Sequence, residues 1–200
     1  MVPSPARERF DAARLINLAN GLTAARVLLV PYFAYLLISG RGKAALLVFA
    51  VCGATDALDG ILARWLRQRT LVGTLLDPIA DKLLMATAFI VLSYVHIAPL
   101  RLAIMVISRD IIILTGSLIY LLMFEASDIR ATGLSKANTV VQILTVIYFL
   151  AIAAFPVEAA ALGTGKGTFP DRGVTLTCAV TTVASGLQYL YIGLRKLSNA

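Results

Sequence analysis

An all-α integral membrane protein, six transmembrane helices preceded by an N-terminal amphipathic juxtamembrane helix, is the architecture this sequence predicts. Three observations predict it. Of 200 residues, 59% are hydrophobic and only 14% charged, against about a quarter charged in ordinary soluble domains; the mean hydropathy is +0.85. The apolar residues fall into runs long enough to cross a hydrocarbon core of about 30 Å at about 1.5 Å per helical residue. The basic residues gather at the ends of those runs, where cytoplasmic loops and anionic lipid place them. The net charge of +7 is therefore read as loop charge and not as a nucleic-acid surface. Two units are expected: residues 1–20 as the juxtamembrane helix and residues 21–196 as one membrane domain.

The elements follow in order. Residues Pro3 to Asn20 mix Arg7, Glu8, Arg9, Asp11 and Arg14 with Phe10, Leu15, Ile16 and Leu18, the composition of a helix lying on the membrane surface. A signal peptide is not expected, because the next apolar run carries Arg26 and is too long for one. The first span is expected over about Gly21–Ser39, broken by Pro31. Arg41 and Lys43 form a short turn before the second span, about Ala44–Leu66. After the basic Arg64, Arg67 and Arg69, the third span covers about Gly73–Tyr94, with a local kink expected at Pro78. Lys82 reads as an interfacial or ion-paired lysine, and His96 as a residue at a span end. The fourth span, about Pro99–Phe124, holds Arg109 and Asp110 near its middle; neighbours in a helix do not share a face, so each is expected to need its own partner. The fifth begins near Ser135, and the sixth covers about Gly173–Leu194. Gly163–Phe169 (GTGKGTF) lacks the spacing of a phosphate loop and reads as a plain connection. Cys52 and Cys178 sit in apolar runs and read as small buried residues.

Six spans place both termini on one side. Arg7, Arg9, Arg14, Arg64, Arg67, Arg69, Arg130, Lys136, Arg195 and Lys196 fall on that side, and Arg41, Lys43, Arg101, Lys166 and Arg172 on the other. The bias predicts cytoplasmic termini.

The chemistry is concentrated between Asp56 and Asp81, DALDGILARWLRQRTLVGTLLDPIAD. A single charge at bilayer depth costs at least about 2.5 kcal/mol, and this stretch has four carboxylates. Asp56 and Asp59 are spaced i,i+3, and Asp77 and Asp81 i,i+4, so each pair shares a helix face. Two such faces turned together need protons or cations. An all-oxygen donor set suits hard cations such as Mg²⁺, Mn²⁺ or Ca²⁺, and four negative charges balance two divalent ions. Gly60 and Ala63 are small and leave room for a flat ligand, and Arg64 is one turn from Gly60, where it can meet an anion bridged by metals. Metals, an arginine and a cleared helix face point to a diphosphate substrate.

The string Asp56-x2-Asp59-Gly60-x2-Ala63-Arg64-x8-Gly73-x3-Asp77-x3-Asp81 resembles, at every fixed position, the signature of the CDP-alcohol phosphotransferase family, and the resemblance extends weakly from Asn20 to about Tyr191. It implies a metal-dependent transferase that moves the phosphatidyl group from CDP-diacylglycerol to an alcohol with release of CMP. It implies two divalent ions, Mg²⁺ or Mn²⁺, on Asp56, Asp59 and Asp77, with Asp81 as partial ligand and general base. It implies CDP contacts from Asp56, Gly60, Ala63 and Arg64, with Gly73 keeping the approach open. Asn20, Thr23 and Arg26 match the family's first-span pattern and imply a lipid-phosphate contact; Arg109 and Lys136 imply an acceptor-phosphate contact. By the same analogy the chain is a homodimer. A bacterial-type inner membrane is expected, and the charge bias puts the loop between the two aspartate pairs, and so the opening of the site, on the cytoplasmic side. Membrane lipids, and no nucleic acid, are the expected partners.

The acceptor separates two readings. Ile107-Ser108-Arg109-Asp110 and Ser135-Lys136-x-Asn138-Thr139-x2-Gln142 look most like cardiolipin synthases of the eukaryotic type, which use phosphatidylglycerol. Phosphatidylglycerophosphate synthases, which use glycerol 3-phosphate, usually carry Glu and a further Arg where this chain has Asp110 and Ser117. A phosphomonoester dianion wants more positive charge than a phosphodiester, which favours phosphatidylglycerol. A different class, a small cation or proton transporter, would string acidic residues across several depths; here they cluster at one end of two neighbouring spans.

Overall fold

In the computed structural model, backbone is described for residues 18–66, 71–123, 133–164 and 168–198, and side chains for 25, 27–55, 82–116, 133–164 and 168–193. The juxtamembrane helix expected over residues 1–20 lies almost wholly outside that range. The described residues form seven helices and no strand: α1 (Leu18–Ile38), α2 (Gly42–Leu66), α3 (Leu71–Tyr94), α4 (Leu100–Met123), α5 (Gly133–Ala154), α6 (Pro156–Ala161) and α7 (Phe169–Ser198). Six of them correspond to the six apolar runs, and α6 was not expected. Its signal is Pro156 at the first helical turn, where the missing N–H costs nothing and the fixed φ suits a helix.

The boundaries differ from expectation in three places. Pro31 does not break the first run: α1 is continuous through it, the surrounding apolar turns holding the helix past the lost hydrogen bond. Lys43 belongs to α2, which starts at Gly42. There glycine is required, since a Cβ would run into the backbone carbonyl of Ala153 on α5. The last helix starts at Phe169, one turn before the expected Gly173.

Three turns close by the same device. Gly40 (φ 71), His96 (φ 60) and Gly163 (φ 67) each adopt the left-handed conformation just past a helix end. The next N–H then reaches back five residues: Arg41 to Leu36 O at 2.9 Å, Ile97 to Leu92 O at 2.9 Å and Thr164 to Ala159 O at 2.9 Å. This satisfies carbonyls that a helix end leaves free. His96, expected only to mark a span end, is a turn former, and a residue with a Cβ does that job under strain.

Packing arranges the helices around α5. α1 packs on α2 and α3, α3 on α4, and α5 on α2, α3 and α7, with α4 also on α7. Phe33, Phe89 and Phe149 are fully buried with Leu36, Leu92, Leu102 and Leu150, and the Phe33 and Phe49 rings meet at 6.0 Å. The exterior is also apolar: Leu28, Leu47, Ile104, Leu144, Leu176 and Leu187 are each more than half exposed. Buried among the helices instead are Ser93, Arg109, Asn138, Gln142, Thr145, Thr182 and Ser185. Exposed threonines on α7 return their hydroxyls to their own helix, Thr177 to Gly173 O at 2.9 Å and Thr181 to Thr177 O at 3.0 Å, so they present little polarity outward. Among the described residues, Gly133–Ala154 is long and apolar enough to cross a membrane, and Val27–Ile38, Gly42–Thr55 and Lys82–Tyr94 are shorter apolar stretches.

Replacing His96 by glycine removes the left-handed strain while keeping the turn. The variant is expected to be more stable by about 1 kcal/mol, read as a higher midpoint of thermal unfolding in detergent.

Candidate functional site

The α4 sequence LRLAIMVISRDIIILTG carries Arg101, exposed at its start, and puts Arg109 and Asp110 into its otherwise apolar middle, where both must be satisfied inside the bundle. Arg109 is 6% exposed. Its Nη1 donates to Asp110 Oδ1 at 2.7 Å, and its Nη2 donates to Ser135 Oγ on α5 at 2.8 Å and to Ser185 Oγ on α7 at 2.7 Å. The other carboxylate oxygen of Asp110 accepts from Lys82 Nζ on α3 at 2.8 Å. One chain of charge-assisted hydrogen bonds therefore ties α3, α4, α5 and α7 together. Each residue has the partner of its own that the sequence predicts, the two serines for Arg109 and Lys82 for Asp110; the pairing of the two neighbours with each other was not expected. The arginine stem is long enough to fold back along the helix, so adjacent residues pair with each other while each also holds a second helix. Lys82 is the ion-paired lysine that one reading of the sequence allowed.

A polar seam continues from this network between α5 and α7. Thr182 donates to Asn138 Oδ1 at 3.2 Å, and Cys178 lies against Thr145 and Thr182. Asn138 and Gln142 are buried, and among the described residues Asn138 Nδ2, Gln142 Nε2 and Arg109 Nε have no hydrogen-bond partner. Ser185 and Thr182 escaped the sequence reading. Their signal was the i,i+3/i,i+4 spacing of Cys178, Thr182 and Ser185 along one face of an apolar helix. Lys136, next to Ser135, is exposed. The two residues expected at an acceptor phosphate thus differ: Lys136 faces outward, while Arg109 is buried and held by protein groups.

The carboxylate motif lies on helical backbone. α2 carries Asp56, Asp59, Gly60, Ala63 and Arg64, and α3 carries Gly73, Asp77 and Asp81; their side chains, like those of Asn20, Thr23 and Arg26 on α1, lie outside the described residues. The helices run unbroken through these positions, so the i,i+3 and i,i+4 spacings are realised as shared faces. Depth also matches. Counting from Leu66 at the end of α2 and from Leu71 at the start of α3, Asp59 and Asp77 lie about 9–11 Å along their helices, and Asp56 and Asp81 about 15 Å. α2 and α3 also share α1 and α5 as packing partners. Among the described side chains no group of three His, Cys, Asp or Glu could hold a metal ion, and the four aspartates are not among them. As a donor set, four carboxylates at paired depths on consecutive helices fit hard divalent cations.

Fold and motif together define a helical bundle with apolar faces outside, charge inside, and paired aspartates on consecutive helices. The model of the family described as CDP-alcohol phosphatidyltransferase matches residues 16–183, and the chain belongs to this family. It is 34% identical over 155 residues to the cardiolipin synthase (CMP-forming) of Homo sapiens, covering 70% of this chain and 52% of that protein. It is 31% identical over 192 residues to a probable phosphatidylglycerophosphate synthase of Mycobacterium tuberculosis, covering 92% and 85%. To the CDP-diacylglycerol–glycerol-3-phosphate 3-phosphatidyltransferase of Bacillus subtilis it is 33% identical over 191 residues, covering 88% and 94%. The chain thus spans about half the length of the human relative and most of the length of the two bacterial ones.

Ser185→Ala deletes one hydrogen bond to a buried cation and is expected to cost about 1.5–3 kcal/mol. In an Arg109→Gln background the same change should cost at least about 1 kcal/mol less. Unfolding of the four proteins of this cycle in detergent measures the coupling.

Proposed function

We propose that the chain is a metal-dependent phosphatidyltransferase that moves the phosphatidyl group of CDP-diacylglycerol to a glycerol-type alcohol, phosphatidylglycerol, and releases CMP. The observation that carries this reading is the matched depth of the two aspartate pairs on α2 and α3, in a chain of this family. Asp56, Asp59 and Asp77 hold two divalent ions, Mg²⁺ or Mn²⁺, with Asp81 as a partial ligand. When bound, the ions neutralise the diphosphate and polarise the attacked phosphorus. Asp56, Gly60, Ala63 and Arg64 seat the CDP moiety, with Gly73 leaving its approach clear. Asp81 takes the proton of the acceptor hydroxyl. The acceptor oxygen bonds to the phosphatidyl phosphorus, the bond from that phosphorus to the bridging oxygen breaks, and CMP leaves with the electron pair. Asn20, Thr23 and Arg26 meet lipid phosphate.

The setting proposed is a bilayer crossed six times, with termini and site on the cytoplasmic side of a bacterial-type inner membrane and the chain paired as a homodimer. The exposed apolar faces of α1, α2, α4, α5 and α7 and the burial of Arg109, Asn138 and Gln142 support the bilayer: lipid-facing surfaces are apolar, and intramembrane charge turns to the bundle interior.

Phosphatidylglycerol is favoured as acceptor because Asp110 and Ser117 stand where phosphatidylglycerophosphate synthases usually carry Glu and a further Arg. Loss of that arginine suits a phosphodiester better than a phosphomonoester dianion. Glycerol 3-phosphate is the second reading. It is favoured by the two relatives named for phosphatidylglycerophosphate or glycerol 3-phosphate, which match over 85% and 94% of their own length.

Purified protein given labelled CDP-diacylglycerol is expected to release CMP only with Mg²⁺ or Mn²⁺, and more with phosphatidylglycerol than with glycerol 3-phosphate; a transporter would release none. Asp56→Asn, Asp59→Asn and Asp77→Asn should each abolish transfer. Asp81→Asn should lower kcat about 10²–10⁴-fold with metal binding largely kept. Lys136→Ala is expected to raise the acceptor KM more than the donor KM in steady-state kinetics, and the opposite split would refute its assignment.

A further inference from the structure

Lys82 is the residue after Asp81, and α3 also carries Asp77. An ammonium there is a monovalent competitor for the carboxylates that the proposed function assigns to divalent ions. Sequence adjacency does not keep such groups apart. On α4 the neighbours Arg109 and Asp110 bond to each other at 2.7 Å, so a long cationic side chain on a helix reaches the carboxylate next to it. Lys82 is instead held from α4: its Nζ lies 2.8 Å from Asp110 Oδ2. The lysine side chain is 29% exposed and the Asp110 side chain 13%, so the pair is screened only partly by solvent. Asp110 cannot swing away to follow the lysine. Its other oxygen is bonded to the Arg109 guanidinium, which is anchored on Ser135 of α5 and Ser185 of α7.

We propose that Asp110 is a positioning residue: held by Arg109 through one oxygen, it uses the other to draw the Lys82 ammonium to α4, away from the α3 aspartates, which are thereby left to divalent cations. The inference rests on the proposed metal role of those aspartates. It assigns Asp110 and Lys82 an action through other residues and no contact with substrate. It also gives a reason for a partly buried Arg–Asp–Lys chain where apolar side chains would pack at least as well.

The test is equilibrium Mn²⁺ binding to the purified full-length protein in detergent, read as loss of the free-ion electron paramagnetic resonance signal. Asp110→Asn is expected to bind Mn²⁺ five- to ten-fold more weakly than the unmodified protein. Lys82→Met/Asp110→Asn, in which the released competitor is gone, should return to within two-fold of the unmodified value, and Asp110→Glu should stay close to it. A purely structural role predicts the opposite order, with the double variant as weak as or weaker than the single. Asp110→Asn leaves Arg109 without its counter-charge, so Arg109→Gln/Asp110→Asn keeps the pair neutral and covers the case in which the single variant fails to fold. It should show the same weakening, while Arg109→Gln alone, which frees Asp110 from its anchor but leaves its charge on Lys82, should show a smaller one. Unchanged binding in Asp110→Asn or in Arg109→Gln/Asp110→Asn, or no recovery in Lys82→Met/Asp110→Asn, overturns the positioning role. An unmodified protein that binds no Mn²⁺ and releases no CMP overturns the proposed function itself.

Discussion

Charge inside an apolar bundle must be paired, and that requirement organises this molecule. Arg109 is held by an acid one residue away and by hydroxyls on two other helices, and Asp110 passes the connection on to α3 through Lys82. Four helices are thereby fixed to one another by groups that cannot be released singly without leaving a buried charge exposed to a low dielectric. The apolar residues are distributed on both sides of the helices, inward as a core and outward as an apolar surface, so they contribute little to choosing one arrangement of helices over another. In such a setting the polar contacts carry much of the specificity.

The same network sits beside the proposed chemistry. Lys82 follows the last aspartate of the motif on α3, and Ser135 precedes Lys136 on α5, so the groups that lock the bundle border those read as acting on substrate. The reach of each element is set by short connections and by helix length. Residues 67–70 alone separate α2 from α3, and similar counts from either side of that connection put the aspartate pairs at similar distances along their helices. Matching depths of this kind are what the proposed sharing of ions between the two helices requires of the backbone.

Much of this was legible in the sequence, because apolar run length and helical spacing are local properties. Six of the seven described helices followed from hydropathy, and so did the placement of the Asp56–Asp81 residues on two consecutive helices. What was not legible depends on tertiary contacts. The pairing of Arg109 with Asp110 contradicts a rule about helix faces that holds for short side chains and fails for a long one. Ser185, seventy-six residues from Arg109, became a partner only when α7 packed on α4. Pro31 looked like a break and was absorbed, because α2 and α3 pack against the helix that contains it. α6 was too short for hydropathy to find, and His96 drew attention as a histidine when its backbone angle was what mattered.

The proposed reaction requires divalent ions held between the aspartates of α2 and α3. Anomalous diffraction at the manganese edge, from crystals grown with Mn²⁺ and CDP-diacylglycerol, tests it most directly. Two peaks are expected between these helices, in the layer spanned by Asp59 with Asp77 and Asp56 with Asp81. Peaks confined to other parts of the molecule, or none at all in crystals that contain the nucleotide, would contradict it.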